Sequence, residues 1–334
     1  MEELGFMVDF ATTYLGIPLK NPLVVAASSI SNHVDTVKQA EEAGAGALVI
    51  RSVFEEQIQF DQLRMEESLN IGAESFAEAL TYFPKVEHGG LKEHLMWVEK
   101  TRAAVKMPLF ASLNAVSPGA WASYAKQLAE TGVNGLEVNF YAVATDLKRP
   151  GNDIERALYE VVESVRAEVA LPIAVKLSPF YTSVVNVVSE LEKRGANGVV
   201  LFNRFLQPDI DPDTETLVSQ MVLSTPDEMR IPLRWIALLY GRTGLDLALS
   251  TGAHTGKDAV KALLAGATVV QMAAALLKNG VHYLSTMLIQ MQGWMEEHGY
   301  QSITDFRGNV SQKNCDDPFA FERAQYVRLL LSQK

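Results

Sequence analysis

Eight short apolar runs, most of them followed by a helical pattern, constrain this chain more than any single motif. The runs fall at residues 23–27, 47–51, 109–113, 135–140, 173–177, 198–202, 246–250 and 269–272. They lack the polar alternation of a strand with one wet face, so each is expected to be covered on both faces. Helical patterns lie between them at 35–43, 91–105, 120–131, 154–169, 184–194, 233–240 and 257–265, and a last one follows at 281–298. Gly44, Gly132, Gly195 and Gly266 stand where a glycine ends a helix, and each leads straight into the next strand. Eight strand–helix units in this order predict an α/β fold, a closed parallel (β/α)8 TIM barrel. An open doubly wound sheet is the alternative that periodicity leaves standing.

Two connections exceed what a plain barrel needs: residues 54–90 after the second strand and 204–232 after the sixth. Loops of that length usually act as lids or interface elements. The first is rich in Glu, Gln and Phe and is expected to carry a helix. The second holds Asp209-Ile-Asp-Pro-Asp213, a turn signal, and then strand-like or irregular chain over 215–223. No low-complexity stretch divides the sequence, so residues 1–334 are read as one domain, of a length common for α/β barrels. The net charge of −11, with no long basic run, argues against nucleic acid as a partner. The single cysteine, Cys315, excludes an internal disulfide and fits a reducing cytoplasm. Residues 1–9 lack a signal-peptide pattern, and no apolar stretch approaches the ~20 residues of a membrane span. A cytoplasmic protein without membrane contact is the expectation.

The stretch from Leu247 to Leu276 carries the clearest chemical signal. It reads as strand, small-residue turn, short helix, strand and a second small-residue turn. Two strand ends thereby offer bare backbone N–H groups beside helix N-termini, an arrangement that binds anions. In a (β/α)8 barrel the loops after the seventh and eighth strands commonly hold a ligand phosphate. Polar groups at the other strand ends face the same mouth: Ala27 and Ser28, Arg51 and Ser52, Asn114, Glu137 and Asn139, Lys176, Asn203. Lys176 lies inside an apolar strand, so its ammonium either finds an anionic partner or snorkels to the rim. It suits an electron-rich cofactor ring or a Schiff base. Asn139 and Asn203 can fix a planar heterocycle, or merely cap loops. Arg51 can grip an anion, or pair with Glu55 or Glu137; Glu137 is a candidate partner of Lys176 or Arg51. The six histidines show no metal-ligand spacing, and His88, His94 and His298 read as surface residues, so no metal site is expected.

At this point the chain resembles the dihydroorotate dehydrogenase family, especially its soluble class 1 branch, over nearly its whole length. The opening Leu15-Gly-Ile-Pro-Leu-Lys-Asn-Pro22 with Val25-Ala-Ala-Ser28, then Glu137-Val-Asn139 and Val175-Lys-Leu-Ser-Pro179, are similar to family motifs. So are Gly256-Lys-Asp-Ala259, Gly266 to Gln271, and His298 to Gly308. The resemblance implies FMN across the barrel mouth, with its phosphate in the two turns at Thr251, Gly252, Ala273 and Ala274. Ala26, Ala27, Ser28, Arg51, Ser52 and Asn114 are further implied cofactor contacts. Lys176 is implied beside the electron-accepting end of the flavin, and Asn139 and Asn203 face flavin and a small planar substrate. A homodimer and a soluble electron acceptor of unidentified kind are implied as well.

The departures bear on the chemistry. Where the family has a catalytic Cys or Ser, this chain has Ala142, and a substrate asparagine is replaced by Ala144. Alanine takes no proton from dihydroorotate. Tyr141 and Thr145 flank the gap, and Tyr141 is the substitute candidate, although tyrosine is a poor base at neutral pH. Three readings follow. The chain is an FMN oxidoreductase on dihydroorotate or a related CH–CH substrate, an FMN-binding protein that has lost that reaction, or a barrel enzyme using Lys176 as a Schiff-base nucleophile on a sugar phosphate.

Overall fold

The computed structural model describes residues 8–54, 91–114, 118–205 and 207–332. A two-stranded hairpin comes first, β1 (Thr12–Tyr14) and β2 (Ile17–Leu19), paired antiparallel around Leu15 and Gly16. Both turn residues have positive φ, 53° and 78°, the twist a two-residue hairpin requires. The eight predicted strands then appear as β3 (Leu23–Val25), β4 (Ala47–Phe54), β5 (Leu109–Asn114), β6 (Gly135–Asn139), β7 (Ile173–Leu177), β8 (Gly198–Leu201), β11 (Asp246–Ser250) and β12 (Val269–Met272). All neighbours are parallel, and β12 pairs with β3. That closure decides for the barrel and against the open sheet.

The helices are α1 (Val34–Glu42), α2 (Leu91–Ala104), α3 (Pro118–Glu130), α4 (Gly151–Glu168), α5 (Val184–Lys193), α6 (Arg230–Leu239), α7 (Gly256–Ala265), α8 (Ala274–Asn279), α9 (Tyr283–Glu297) and α10 (Ala324–Ser332). Their apolar stripes follow helical spacing. In α5, Val184, Val187, Val188 and Leu191 are buried, Ser183 accepts the Asn186 N–H at 3.4 Å, and Gly195 follows with φ 86°. Helix α6 starts at Arg230, earlier than the pattern at 233 predicts. A capped 3-10 turn, Pro226–Met229, leads directly into it, and Pro232 falls in the first turn where no N–H is needed. Among the described residues no helix is long and apolar enough to cross a membrane.

The barrel interior is graded along its axis. At the N-terminal end, Tyr14, Leu15 and Leu19 of the hairpin pack with Val24, Val49 and Phe110. Asp246 Oδ2 accepts the Leu15 N–H at 2.6 Å and holds the hairpin there. Toward the strand C-termini the interior turns polar, with Ser112, Glu137, Lys176 and Gln271 all buried. Strand β4 runs beyond its apolar stretch, and its register against β5 shifts between Ile50 and Val53. Such a bulge re-aims a side chain, and here the Ser52 hydroxyl meets Ser112 at 2.7 Å inside the barrel.

The second long connection contains a hairpin, β9 (Asp209–Asp211) and β10 (Thr216–Val218), where a turn followed by strand-like or irregular chain was expected; Thr216–Val218 takes the strand alternative. The helix expected within 54–90 falls on residues outside those described, as does His88. His94 corrects an expectation: it is buried beside Trp97 rather than on the surface.

Candidate active site

Three side chains from three strands meet under the barrel mouth. Glu137 of β6, Lys176 of β7 and Gln271 of β12 are 1%, 7% and 1% exposed. Lys176 Nζ lies 3.5 Å from Glu137 Oε1, and Gln271 Nε2 donates to Glu137 Oε2 at 2.7 Å. Register explains the meeting: Asn139 is paired with Lys176 across β6 and β7, and Glu137 sits two residues below Asn139 on the same face. Lys176 therefore has its anionic partner inside the barrel and does not snorkel. Gln271 Oε1 is buried and accepts no hydrogen bond from the described residues. Below them stands Tyr14. Burial first, then the negative charges of Glu137 and Asp246, push its phenol well above the usual value, so it stays protonated.

A cavity of about 270 Å³ opens above this group. Ala26, Ala27 and Ser28 from the end of β3 line one side, and Lys176 and Gln271 line it from below. Thr251 and Gly252 after β11 and Ala273 and Ala274 after β12 line it from the two turns expected to hold phosphate. Thr251 and Gly252 both have φ 82°. A Cβ at Gly252 would stand 2.4 Å from the Met229 backbone nitrogen, so only glycine fits. Thr251 takes the same left-handed conformation with a β-branched side chain, and its hydroxyl donates to the Phe202 carbonyl at 3.1 Å. Backbone of that kind costs about 1–3 kcal/mol and is concentrated at functional sites. His254 follows, with Nε2 3.4 Å from the Ser224 hydroxyl.

Asn203 also lines the cavity, and its Nδ2 donates to Asn139 Oδ1 at 2.8 Å. The two amides predicted to face a planar ligand are thus joined to each other. Arg204 ties the following segment down. Its Nε lies 2.7 Å from Glu228 Oε2, and its Nη1 donates to the Val222 carbonyl. Residues 221–224 contribute to the cavity wall, so the long connection after β8 partly covers the mouth.

Arg51, Ser52 and Asn114 do not line this cavity. Asn114 is buried at the end of β5, and Ser52 points to Ser112. Arg51 makes no ion pair with the described residues, and burial lowers its guanidinium from the usual value. Glu137 is engaged by Lys176 instead, and Glu55 lies outside the described residues.

Tyr141, Ala142 and Ala144 open onto a second, larger cavity of about 440 Å³ beside the mouth. Tyr141 packs on Phe205 with ring centroids 4.0 Å apart, and Phe180 meets Phe205 edge-on at 5.7 Å. Thr145 is exposed and is not part of this wall. The sequence reading missed Gln271, Arg204, Phe180 and Phe205. Gln271 carried a usable signal, since it alternates inward with Val269 on a buried strand. The aromatic residues gave none, because their meeting depends on loops after three different strands.

A family model described as dihydroorotate dehydrogenase matches residues 9–295. The chain belongs to the dihydroorotate dehydrogenase family. It is 25% identical over 308 residues to the dihydroorotate dehydrogenase B (NAD(+)) catalytic subunit of Thermoplasma volcanium, covering 90% of this chain and 98% of that one. It is 25% identical to a putative dihydroorotate dehydrogenase A (fumarate) of Aeropyrum pernix, over 90% and 97% of the two chains. A chloroplastic dihydropyrimidine dehydrogenase (NADP(+)) of Arabidopsis thaliana is 22% identical over 91% of this chain and 77% of its own. The likeness to these proteins spans about nine-tenths of the chain, not one motif.

Proposed function

We propose that the chain is an FMN-dependent oxidoreductase of the dihydroorotate dehydrogenase type, working at the barrel mouth as one flavin-binding unit. The observation that carries this reading is Lys176, an ammonium buried at the base of a cavity that two backbone-rich turns also line. The residues suit the cofactor. The turns at Thr251–Gly252 and Ala273–Ala274 offer backbone N–H groups for its phosphate. The Gln271 Oε1 acceptor, left without a donor, suits a ring N–H. Ala26, Ala27 and Ser28 present a small-residue edge to a flat ring. When bound, FMN supplies hydride acceptance from a CH–CH substrate and later release of the electrons.

Lys176 places a fixed positive charge where electron density rises, in a site that needs little reorganisation. Glu137 and Gln271 fix its position. Asn139 and Asn203 hold the planar substrate through amide donors and acceptors, whereas Arg51, Ser52 and Asn114 stand at the ends of β4 and β5 off the cavity wall. The substrate proton is the step that this chain handles differently. Ala142 cannot take it, and absence of a positioned base lowers a rate by about 10²–10⁴-fold. Tyr141, beside it, is the remaining group with a transferable proton. Dihydroorotate is therefore a poor substrate and a related CH–CH compound the better one. Ala142 and Ala144 also favour a second reading, a flavin-binding protein without the ancestral turnover. The Schiff-base reading is disfavoured, since Lys176 is ion-paired to Glu137 whereas nucleophilic attack needs a free amine. A homodimer, a soluble acceptor such as those in the relatives' names, a pyrimidine-type substrate and a cytoplasmic location complete the proposal.

The test is the visible spectrum of the purified protein before and after anaerobic dihydroorotate. Flavin bands that bleach slowly support the first reading, and bands that persist support the second. No bands, even after FMN is added, would overturn both.

A further inference from the structure

The cavity beside the mouth has a chemistry of its own. At about 440 Å³ it is large enough for a single ring with a short substituent. Its wall is aromatic: Tyr141 lies on Phe205, and Phe180 stands edge-on to the same ring. Phe180 is 70% and Tyr141 41% exposed, so the faces of this cluster are open rather than packed into the core. Ala142 and Ala144 add no polar group at this wall. A polar, anionic heterocycle gains little here.

Charge points the same way. Among the described residues that line the cavity, Glu155 of α4 carries the only formal charge. Glu155 makes no ion pair or hydrogen bond with the described residues, so its carboxylate is available to a ligand. Tyr181 stands in the same wall; burial first, then the nearby Tyr159 and Glu155, holds its phenol above the usual range, so it remains a neutral hydrogen-bond donor. Among the described residues no arginine or lysine on this wall answers a ligand carboxylate. Aromatic faces attract cations and accept flat neutral rings, and an unpaired carboxylate repels anions.

The cavity also lies next to the mouth, through residues that line more than one space. Phe180, Phe205 and Gln207 border a smaller space of about 200 Å³ that reaches Asn203 and Thr251. Those two residues line the mouth cavity above Lys176. The aromatic cavity and the mouth are therefore neighbours, separated by residues that line both sides.

The geometry points to a subsite for a flat aromatic group that is neutral or positively charged, formed by Tyr141, Phe180 and Phe205 with Glu155 as counter-charge. It extends the proposed function by naming the substrate class, a compound bearing such a group in place of a carboxylate. It depends on that reading only for the reacting end.

The test uses three probes of one shape and different charge: benzamidine, benzamide and benzoate. Binding to the full-length protein is measured by titration calorimetry, with and without added FMN. Benzamidine is expected to bind about tenfold tighter than benzamide, and benzoate more weakly than both. Glu155→Gln should bring benzamidine down to the level of benzamide and leave benzamide unchanged. Phe205→Leu, which keeps an apolar side chain and controls for folding, should weaken benzamidine and benzamide together while thermal unfolding stays near that of the parent. Benzoate binding as tightly as benzamidine, no binding by any probe at millimolar concentration, or an order that survives Glu155→Gln would each overturn the inference. Failure of FMN to bind while the probe order holds would refute the proposed function alone. FMN binding with no probe order would refute the subsite alone.

Discussion

Replacing Lys176 by methionine should destabilise the flavin-free protein strongly, and replacing Glu137 as well should restore most of the loss. Lys176 and Glu137 lie 3.5 Å apart and are almost wholly buried. At an effective dielectric of ~20, charges at that separation attract by about 5 kcal/mol. Burial of both ions offsets most of this, so the intact pair contributes little net stability. Removing one partner is different, because it leaves a buried charge uncompensated at a cost of about 3–5 kcal/mol. After Lys176→Met, Glu137 keeps only the 2.7 Å hydrogen bond from Gln271. In the double variant with Glu137→Gln no charge remains, and a loss of only about 1–1.5 kcal/mol is expected. Urea unfolding followed by circular dichroism measures this. With a slope of about 3 kcal/mol/M, the single variant should lower the midpoint by about 1–1.7 M, and the double variant by less than half of that. A Lys176→Met midpoint within about 0.3 M of the parent, or losses that simply add in the double variant, would refute the buried-pair reasoning.

Other consequences follow from single features of the site. Gly252→Ala forces a side chain into a φ of 82° and against Met229, and should cost about 2 kcal/mol or more in thermal unfolding while distorting the phosphate turn. Burial pushes the Asp258 carboxyl up, but Lys261, Thr255 and the His254 N–H together hold it below its usual range. A depressed acid contributes stability above its unfolded-state value, near pH ~4, and loses it as pH falls through the folded value. Asp258→Ala should therefore cost about 1 kcal/mol at neutral pH through loss of the α7 capping box, with the difference vanishing in strong acid on a pH series of unfolding curves. Ala142→Cys together with Ala144→Asn should raise anaerobic dihydroorotate oxidation above the parent's rate; no gain would mean that more of the substrate pocket has changed than these two side chains.

The barrel was legible because its strands are buried on both faces and its helices carry apolar stripes. The strands at 173–177, 246–250 and 269–272 match the structure residue for residue. The bottom hairpin was not legible: three-residue strands carry no periodic signal, and Tyr14 reveals its role only when the barrel closes over it. Lys176 stood out because a lysine inside an apolar strand demands an explanation. Its partner Glu137 could equally have paired with Arg51 until register placed it diagonally across β6 and β7 from Lys176. Ser52 shows the opposite case. Strict alternation points Arg51 inward, and a bulge in β4 turns Ser52 inward as well. The aromatic chamber was invisible, since Tyr141, Phe180 and Phe205 follow different strands and meet only through the chain's path above the barrel.

The most direct test of the central claim is a titration of FMN into flavin-free protein, followed by quenching of the flavin's fluorescence. The account predicts saturable binding of one FMN per chain, and an affinity at least about tenfold weaker in Lys176→Met once unfolding curves show that the variant is folded under the titration conditions. Fluorescence that stays unquenched at saturating protein, or an affinity indifferent to Lys176, would contradict the placement of a flavin at this mouth.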